Sequence, residues 1–277
     1  MCGRLNVSSD PVARVFIVLT GAGYPGVDQH NVAPTETVWV ITERADVDVP
    51  GPDDDQSDLC KLNARAAFPG IARPMRWWLV PQWSDDSRPK YAMFNARAES
   101  LQTSRAFRGA FERRRCIVPV DGFYEWLREG TRKLPQHVQS ADGEALLLAG
   151  VWDRWVRDEQ VIESFAVVTT DVHANLKFLH NRQPVLLAAA DALLWLDAHT
   201  ATQALQELLT PALPTDLQVT PVSDYVNNAR HKGPECLTAA GNPQFVARAL
   251  RALPSLRGPP LRGPSLRGPS LRGPPLR

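Results

Sequence analysis

No stretch of this chain is apolar over anything near the ~18–20 residues that a membrane-crossing helix needs. The best run, 12–20, is short, is broken by Arg14 and lacks a basic leader, so it reads neither as a span nor as a signal peptide. Cysteine is scarce. Cys2, Cys60, Cys116 and Cys236 lie far apart with no CxxC pair, which argues against a zinc knuckle or disulfide framework and fits a reducing cytoplasm. His30, His137, His173, His199 and His231 show no metal-ligand spacing, and neither metal nor other cofactor is expected. Net charge is also missing. The formal charge is +1, and five of the bases are Arg257, Arg262, Arg267, Arg272 and Arg277 at the end of the chain; without them the 30 acids outnumber the remaining bases. The overall field would not draw in a polyanion, so a nucleic-acid ligand would need a local cationic groove.

What is present organises into one large unit and a tail. The 277 residues suit one large domain or two small ones, and we place a single domain at 1–254. Residues 255–277 repeat Leu-Arg-Gly-Pro with a Ser or Pro between copies; glycine and proline at every fifth position block helix and sheet, so this segment reads as a disordered tail. Residues 45–58, with Asp53-Asp54-Asp55 after Pro50-Gly51-Pro52, read as a solvated acidic loop without the ligand pattern of a calcium loop.

Between these segments strands dominate. Thr37–Thr42, Met75–Val80, Cys116–Val120, Gly122–Trp126, Ala145–Val151, Ser164–Thr169, Pro184–Leu187 and Leu217–Val222 are β-branched or aromatic runs. Ser8-Ser9-Asp10-Pro11 starts a helix. Ser100–Arg113 has helical spacing of Leu101, Phe107 and Phe111, and Ala189–Ala198 and Thr202–Leu209 are amphipathic helices. Strands and helices do not alternate regularly, which predicts an α+β domain around a mainly antiparallel or mixed sheet with short flanking helices.

The most reactive feature is Cys2, directly after the initiator methionine in Met1-Cys2-Gly3-Arg4. Loss of Met1 would leave an α-amine (pKa ~7.7–8.0) and a thiol (~8.5) on adjacent carbons, both partly nucleophilic near neutral pH. Such a pair condenses with an aldehyde, amine first and thiol second, to a thiazolidine; the alternative is a small buried hydrophobe near a strand start. Six further clusters stand out: Asn31-Val32-Ala33-Pro34-Thr35; Trp77-Trp78-Leu79-Val80-Pro81-Gln82-Trp83; Asn95-Ala96-Arg97-Ala98-Glu99-Ser100; Arg113 to Trp126, which holds Asp121-Gly122-Phe123-Tyr124-Glu125; His180-Asn181-Arg182-Gln183-Pro184-Val185; and Pro221 to Asn228. Leu62-Asn63-Ala64-Arg65-Ala66 nearly copies Phe94 to Ala98; the second copy is preferred because it follows the tryptophans and continues into Glu99-Ser100.

In this order, and beginning Met-Cys-Gly-Arg, the clusters resemble the SOS response-associated peptidase (SRAP) family of abasic-site processing proteins over roughly residues 2–240. The resemblance implies a protein, acting as a monomer in the cytoplasm, that finds abasic sites in single-stranded DNA in the DNA-damage (SOS) response and crosslinks to them through Cys2. It implies a thiol autoprotease class, the peptidase activity being removal of Met1, with lyase-like chemistry at the lesion. Catalytic roles fall on Cys2, Asn95, Glu125 and His180, and DNA contacts on Arg4, Asn31, Pro34, Trp77, Trp78, Arg97, Arg105 and Arg182. Two positions depart from the family pattern, Trp78 in place of glycine and Gln183 before the proline of the histidine cluster.

The residue types suit these roles, each with a plainer alternative. Glu125 between two aromatics can have a raised pKa and move protons, or pair with an arginine such as Arg114. His180 can shuttle or donate a proton, or be structural. Asn95 can hold the sugar or the amine, or cap a helix. Arg4, Arg97 and Arg105 suit phosphate, and Trp77 or Trp78 a flanking base. Three rival functions remain at this level: a cysteine hydrolase using Cys2 with His180 and Glu125 or Asn95, an N-terminal-nucleophile amidotransferase, and a non-catalytic single-strand-binding module.

Overall fold

In a computed structural model the described residues are 3–44, 69–88 and 90–248. Cys2, the acidic segment 45–58, the Asn63–Arg65 copy and the tail 255–277 lie outside them.

The strands are β1 (Leu5–Val7), β2 (Gln29–Val32), β3 (Thr37–Glu43), β4 (Gly70–Trp77), β5 (Asn95–Arg97), β6 (Arg115–Val120), β7 (Gly122–Glu129), β8 (Arg132–Ser140), β9 (Leu146–Arg157), β10 (Gln160–Asp171), β11 (Arg182–Pro184), β12 (Leu186–Leu187), β13 (Leu217–Pro221) and β14 (Gln244–Val246). The α-helices are α1 (Ser9–Thr20), α2 (Arg108–Arg113), α3 (Ala189–Leu196) and α4 (Thr202–Leu208).

Two sheets carry the architecture. One runs β14-β13-β8-β7-β1-β2, all antiparallel. In the other, β9 pairs with β6 and also with β10, β6 with β3, β3 with β4, and β4 with β10, so five strands close into a small barrel. Among the described residues only the β10–β4 and β10–β5 pairs are parallel. This is the mixed-sheet α+β class that the strand-rich pattern predicts. The barrel core is Trp77 stacked on Phe165, with Val40, Cys116, Leu148 and Val167, all buried. Closure leaves few exposed strand edges, and the packed interior makes the strands a rigid frame for side chains at their ends.

α1 covers the frame with Val12, Phe16 and Leu19 facing inward at helical spacing. Ser8 is its N-cap residue, but the carboxylate of Asp28 accepts the Ser9 N–H at 2.7 Å. The helix stops at Gly21, whose φ of 76° suits a residue without a Cβ and lets its N–H reach the Ile17 carbonyl at 3.0 Å.

The helix expected over Ser100–Arg113 is largely absent. Residues 98–100 form a 3-10 turn, further turns follow, and only Arg108–Arg113 is α-helical. Leu101, Phe107 and Phe111 are buried as the spacing demands. Their burial is met by successive turns, in which the Ser100 carbonyl takes the N–H groups of Thr103 and Ser104, and the Ser104 carbonyl those of Phe107 and Arg108.

Candidate active site

The two sheets meet where β7 passes the start of β11. β1 enters antiparallel to β7, with Leu5 opposite Phe123 and Asn6 opposite Gly122, and the Tyr124 N–H donates to the Arg4 carbonyl at 3.0 Å. Gly122 is required here, because a Cβ would collide with the ring of His137 and the carbonyl of Val138 on β8. Next on β7 is Glu125, 4% exposed. Burial, which penalises the carboxylate, raises its pKa. The salt bridge to Arg114 does not form; Arg114 pairs with Asp153 at 3.1 Å.

His180 follows a 3-10 turn at Ala174–Leu176 and precedes β11. Its Nδ1 accepts the backbone N–H of Arg182 at 2.9 Å, and burial lowers its pKa. The neutral ring therefore carries its proton on Nε2. Glu125 and His180 line one cleft of about 250 Å³, together with Trp126, Arg128, Lys133 and Asn227. Arg128 and Lys133 are exposed, giving the rim the local positive charge that the net composition withholds. Lys133 and Asn227 also line a larger groove of about 910 Å³ walled by the β7–β8 hairpin, β13 and residues 238–244.

Asn95 and Arg97 stand on the other flank of β10. Thr169 pairs with Arg97 of β5 on one side and with Pro184 of β11 on the other, and Asn95 sits opposite Val167. Arg97 is exposed. Arg182 is 13% exposed at its side chain and held by both oxygens of Glu99 (2.7 and 3.0 Å), by Asp171 (2.9 Å) and by the Thr169 carbonyl (2.7 Å).

The residues expected to contact DNA divide by exposure. Arg4 donates to Asn31 Oδ1 at 2.7 Å and to the Val226 carbonyl at 3.0 Å, with its guanidinium 5.9 Å from the centre of the Trp126 ring. Asn31 is fully buried; its amide donates to the carbonyls of Val226, Asn228 and His231 at 3.0–3.1 Å. Trp77 is also fully buried, donates to the Phe94 carbonyl at 2.8 Å, and has no surface on which a base could stack. Trp78 is half-buried and lies against Phe94. Pro34 is half-buried before Thr35, a non-glycine residue at φ 83° whose N–H donates to the Trp77 carbonyl at 2.8 Å. Arg105 is exposed and stacks 4.1 Å above Trp83. Gln183 is buried, accepting from the His173 N–H (2.8 Å) and donating to the Ala212 carbonyl (3.2 Å).

Sequence reasoning missed Arg128 and Lys133, and named Asn227 only as part of the cluster from Pro221 to Asn228. Charged residues on a hairpin look like an ordinary solvated surface, and only the pairing of β7 with β8 brings them to the cleft.

Comparison with known proteins gives a consistent result. Abasic site processing protein YoaM of Bacillus subtilis is 33% identical over 248 residues, covering 86% of this chain and 98% of that protein. Abasic site processing protein YoqW of the same species is 29% identical over 246 residues, 86% and 99% of the two chains. Abasic site processing protein HMCES of Gallus gallus is 30% identical over 193 residues, 60% and 57%. A solved structure from Bacteroides thetaiotaomicron superposes with a TM-score of 0.66 at 19% identity, covering 86% of this chain and 98% of its own. One from Bordetella bronchiseptica gives 0.62 at 21%, covering 80% and 100%. These two likenesses speak for the fold. The pattern of the SOS response associated peptidase (SRAP) family matches residues 1–229, and the chain belongs to that family.

Proposed function

We propose that this protein processes abasic sites in single-stranded DNA by forming a covalent thiazolidine with Cys2 once Met1 has been removed. The observation that carries the reading is the cleft shared by a buried carboxyl with a raised pKa, Glu125, and a neutral imidazole, His180, beside the strand that begins the chain. The bond from the Tyr124 N–H to the Arg4 carbonyl, which sets the start of β1 beside the strand that carries Glu125, supports the reading.

In the reaction the Cys2 amine adds to C1′ of the ring-opened sugar. The carbinolamine takes up a proton at its oxygen, loses water and becomes an imine. The thiolate adds to the imine carbon, and the nitrogen takes a proton to close the ring. Glu125, with its raised pKa, suits delivery of the proton to the departing oxygen. His180 suits donation from Nε2 to the sugar oxygen. Holding amine and aldehyde together lowers the barrier by several kcal/mol. Asn95 would orient the sugar or amine. Arg128 and Lys133, with Arg97 and Arg105 farther along the strand path, suit phosphates. Trp78 is the partly open indole for a flanking base.

The test is incubation of Met1-processed protein with a single-stranded oligonucleotide carrying one abasic site, followed by a denaturing gel. Wild type forms a heat-stable adduct; Cys2→Ala forms none, and Glu125→Gln slows formation by about 10²-fold or more. Absence of an adduct with confirmed Met1 removal overturns the reading, and cleavage of added peptides would favour a cysteine hydrolase.

A further inference from the structure

Glu99 has no part in the chemistry above, yet it grips the residue that fixes the tautomer of His180. The grip is two-pronged, Arg182 Nη1 to Oε1 at 2.7 Å and Nη2 to Oε2 at 3.0 Å. The same guanidinium reaches Asp171 Oδ1 and the Thr169 carbonyl on β10. Arg182 is thus fastened from two elements while its own backbone N–H is bonded to His180 Nδ1. Glu99 also lies four residues after Asn95 in the segment that leaves β5, on the opposite flank of β10 from His180. The ion pair therefore ties together, across β10, the two chain segments that bear Asn95 and His180.

We propose that Glu99 acts through Arg182 as a positioning residue for His180, holding its imidazole in the tautomer protonated on Nε2 and fixing its segment against that of Asn95. The inference rests on the functional reading above for its kinetic consequence, though not for its spectroscopic one. It gives Arg182 a task besides any contact with phosphate: its guanidinium is held by two carboxylates and a carbonyl, and its backbone N–H is thereby placed on His180 Nδ1. A bidentate arginine–carboxylate pair suits that task, because the planar fork fixes direction as well as distance. The pair is partly exposed on the Glu99 side, so its net contribution to stability is small and positioning is the effect to look for.

The test uses the full chain. Imidazole nitrogen spectra of wild type at neutral pH show a pyridine-like Nδ1 and a pyrrole-like Nε2 at His180, and Glu99→Gln shifts this toward a mixture of tautomers. With abasic single-stranded DNA at saturation, Glu99→Gln lowers the crosslinking rate about tenfold and leaves affinity unchanged. In a His180→Ala background the same substitution has an effect of less than about twofold, since its route of action is gone. In the nitrogen spectra Arg182→Lys, which keeps the charge and loses the fork, shifts the tautomer as Glu99→Gln does. A wild-type His180 protonated on Nδ1, an unaltered tautomer in Glu99→Gln, a full tenfold effect without His180, or a loss of affinity in place of rate would each overturn the inference. If wild type forms no adduct, the functional reading fails alone, and the nitrogen spectra still decide the tautomer.

Discussion

Asn31 illustrates how a polar residue in a functional cluster can serve the fold. Its side-chain oxygen accepts from Arg4 and its amide nitrogen faces three carbonyls of the segment 226–231. Lys232 adds a second tie, donating to the Asn31 carbonyl (2.7 Å) and to Glu36 (2.6 Å). The cluster thus closes segment 226–232 over the start of the chain, and Trp126 reinforces it by donating to Asn227 Oδ1 at 2.6 Å. Asn31→Ala removes the acceptor of a partly buried Arg4 and one of the donors to three carbonyls, which costs roughly 2–3 kcal/mol. The expected outcome is a lower urea midpoint at unchanged slope, with crosslinking lost only to the extent that the start of β1 is loosened. A variant with native stability and weakened affinity for undamaged single-stranded DNA would instead put Asn31 at the DNA surface.

At the scale of elements, buried Arg115 joins two short helices that could not stand alone. It donates to the carbonyls of Phe111 and Glu112 at the end of α2, and to those of Trp195 and Asp197 at the end of α3, all at 2.7–2.8 Å. Cations suit helix C-termini, where carbonyls lack intrahelical partners. Arg115→Leu is expected to lower stability by roughly 2–4 kcal/mol, read from chemical denaturation, and Arg115→Lys to recover little, since one ammonium cannot serve two helix ends. Equal stability of Arg115→Lys and wild type would rule out the fork as the reason. This role also shows what the chain makes legible. β3, β6, β9 and β10 are apolar and β-branched because the barrel buries them, so their pattern betrays them. β8 does not read as a strand, because Pro135, Gln136, His137 and Gln139 are polar or strand-breaking and become tolerable only by pairing with β7 and β13. β2 and β5 are three or four residues long and carry polar residues of the site itself. Cleft residues on those segments, or on the hairpin, depend on pairings between distant parts of the chain. Cys2, Glu125 and His180 stand out for their chemistry, whereas the engagement of Arg182, Asn31 and Trp77 within the protein follows from topology and no local pattern announces it.

At the scale of the whole molecule, the sheet that carries Glu125 contains a group sensitive to acid. His137 sits opposite Tyr124 on β8, 3% exposed, with its ring 5.1 Å from that of Tyr124. Burial pushes its pKa down to about 4; the Gln139 side chain opposes the shift and nearby His30 adds to it. In the unfolded chain a histidine titrates near ~6.5. Between these values the unfolded state holds a proton that the native state refuses, so stability rises with pH. The contribution is complete above ~6.5 and is lost as pH falls toward 4, amounting to roughly 3 kcal/mol. The buried Glu125 and the half-buried Asp121 have carboxyl pKa values raised by desolvation and act with the opposite sign, as native groups that accept protons early. The informative quantity is therefore the difference between wild type and His137→Gln, which has no proton to gain. Denaturation midpoints measured from pH 7.5 to 4 should fall more steeply for wild type, and crosslinking should decline over the same range because Glu125 lies one residue beyond the strand position that pairs with His137. Parallel stability curves for the two proteins would mean that His137 takes up its proton without opening the sheet, and the acid limit of the molecule would have to come from its carboxyls.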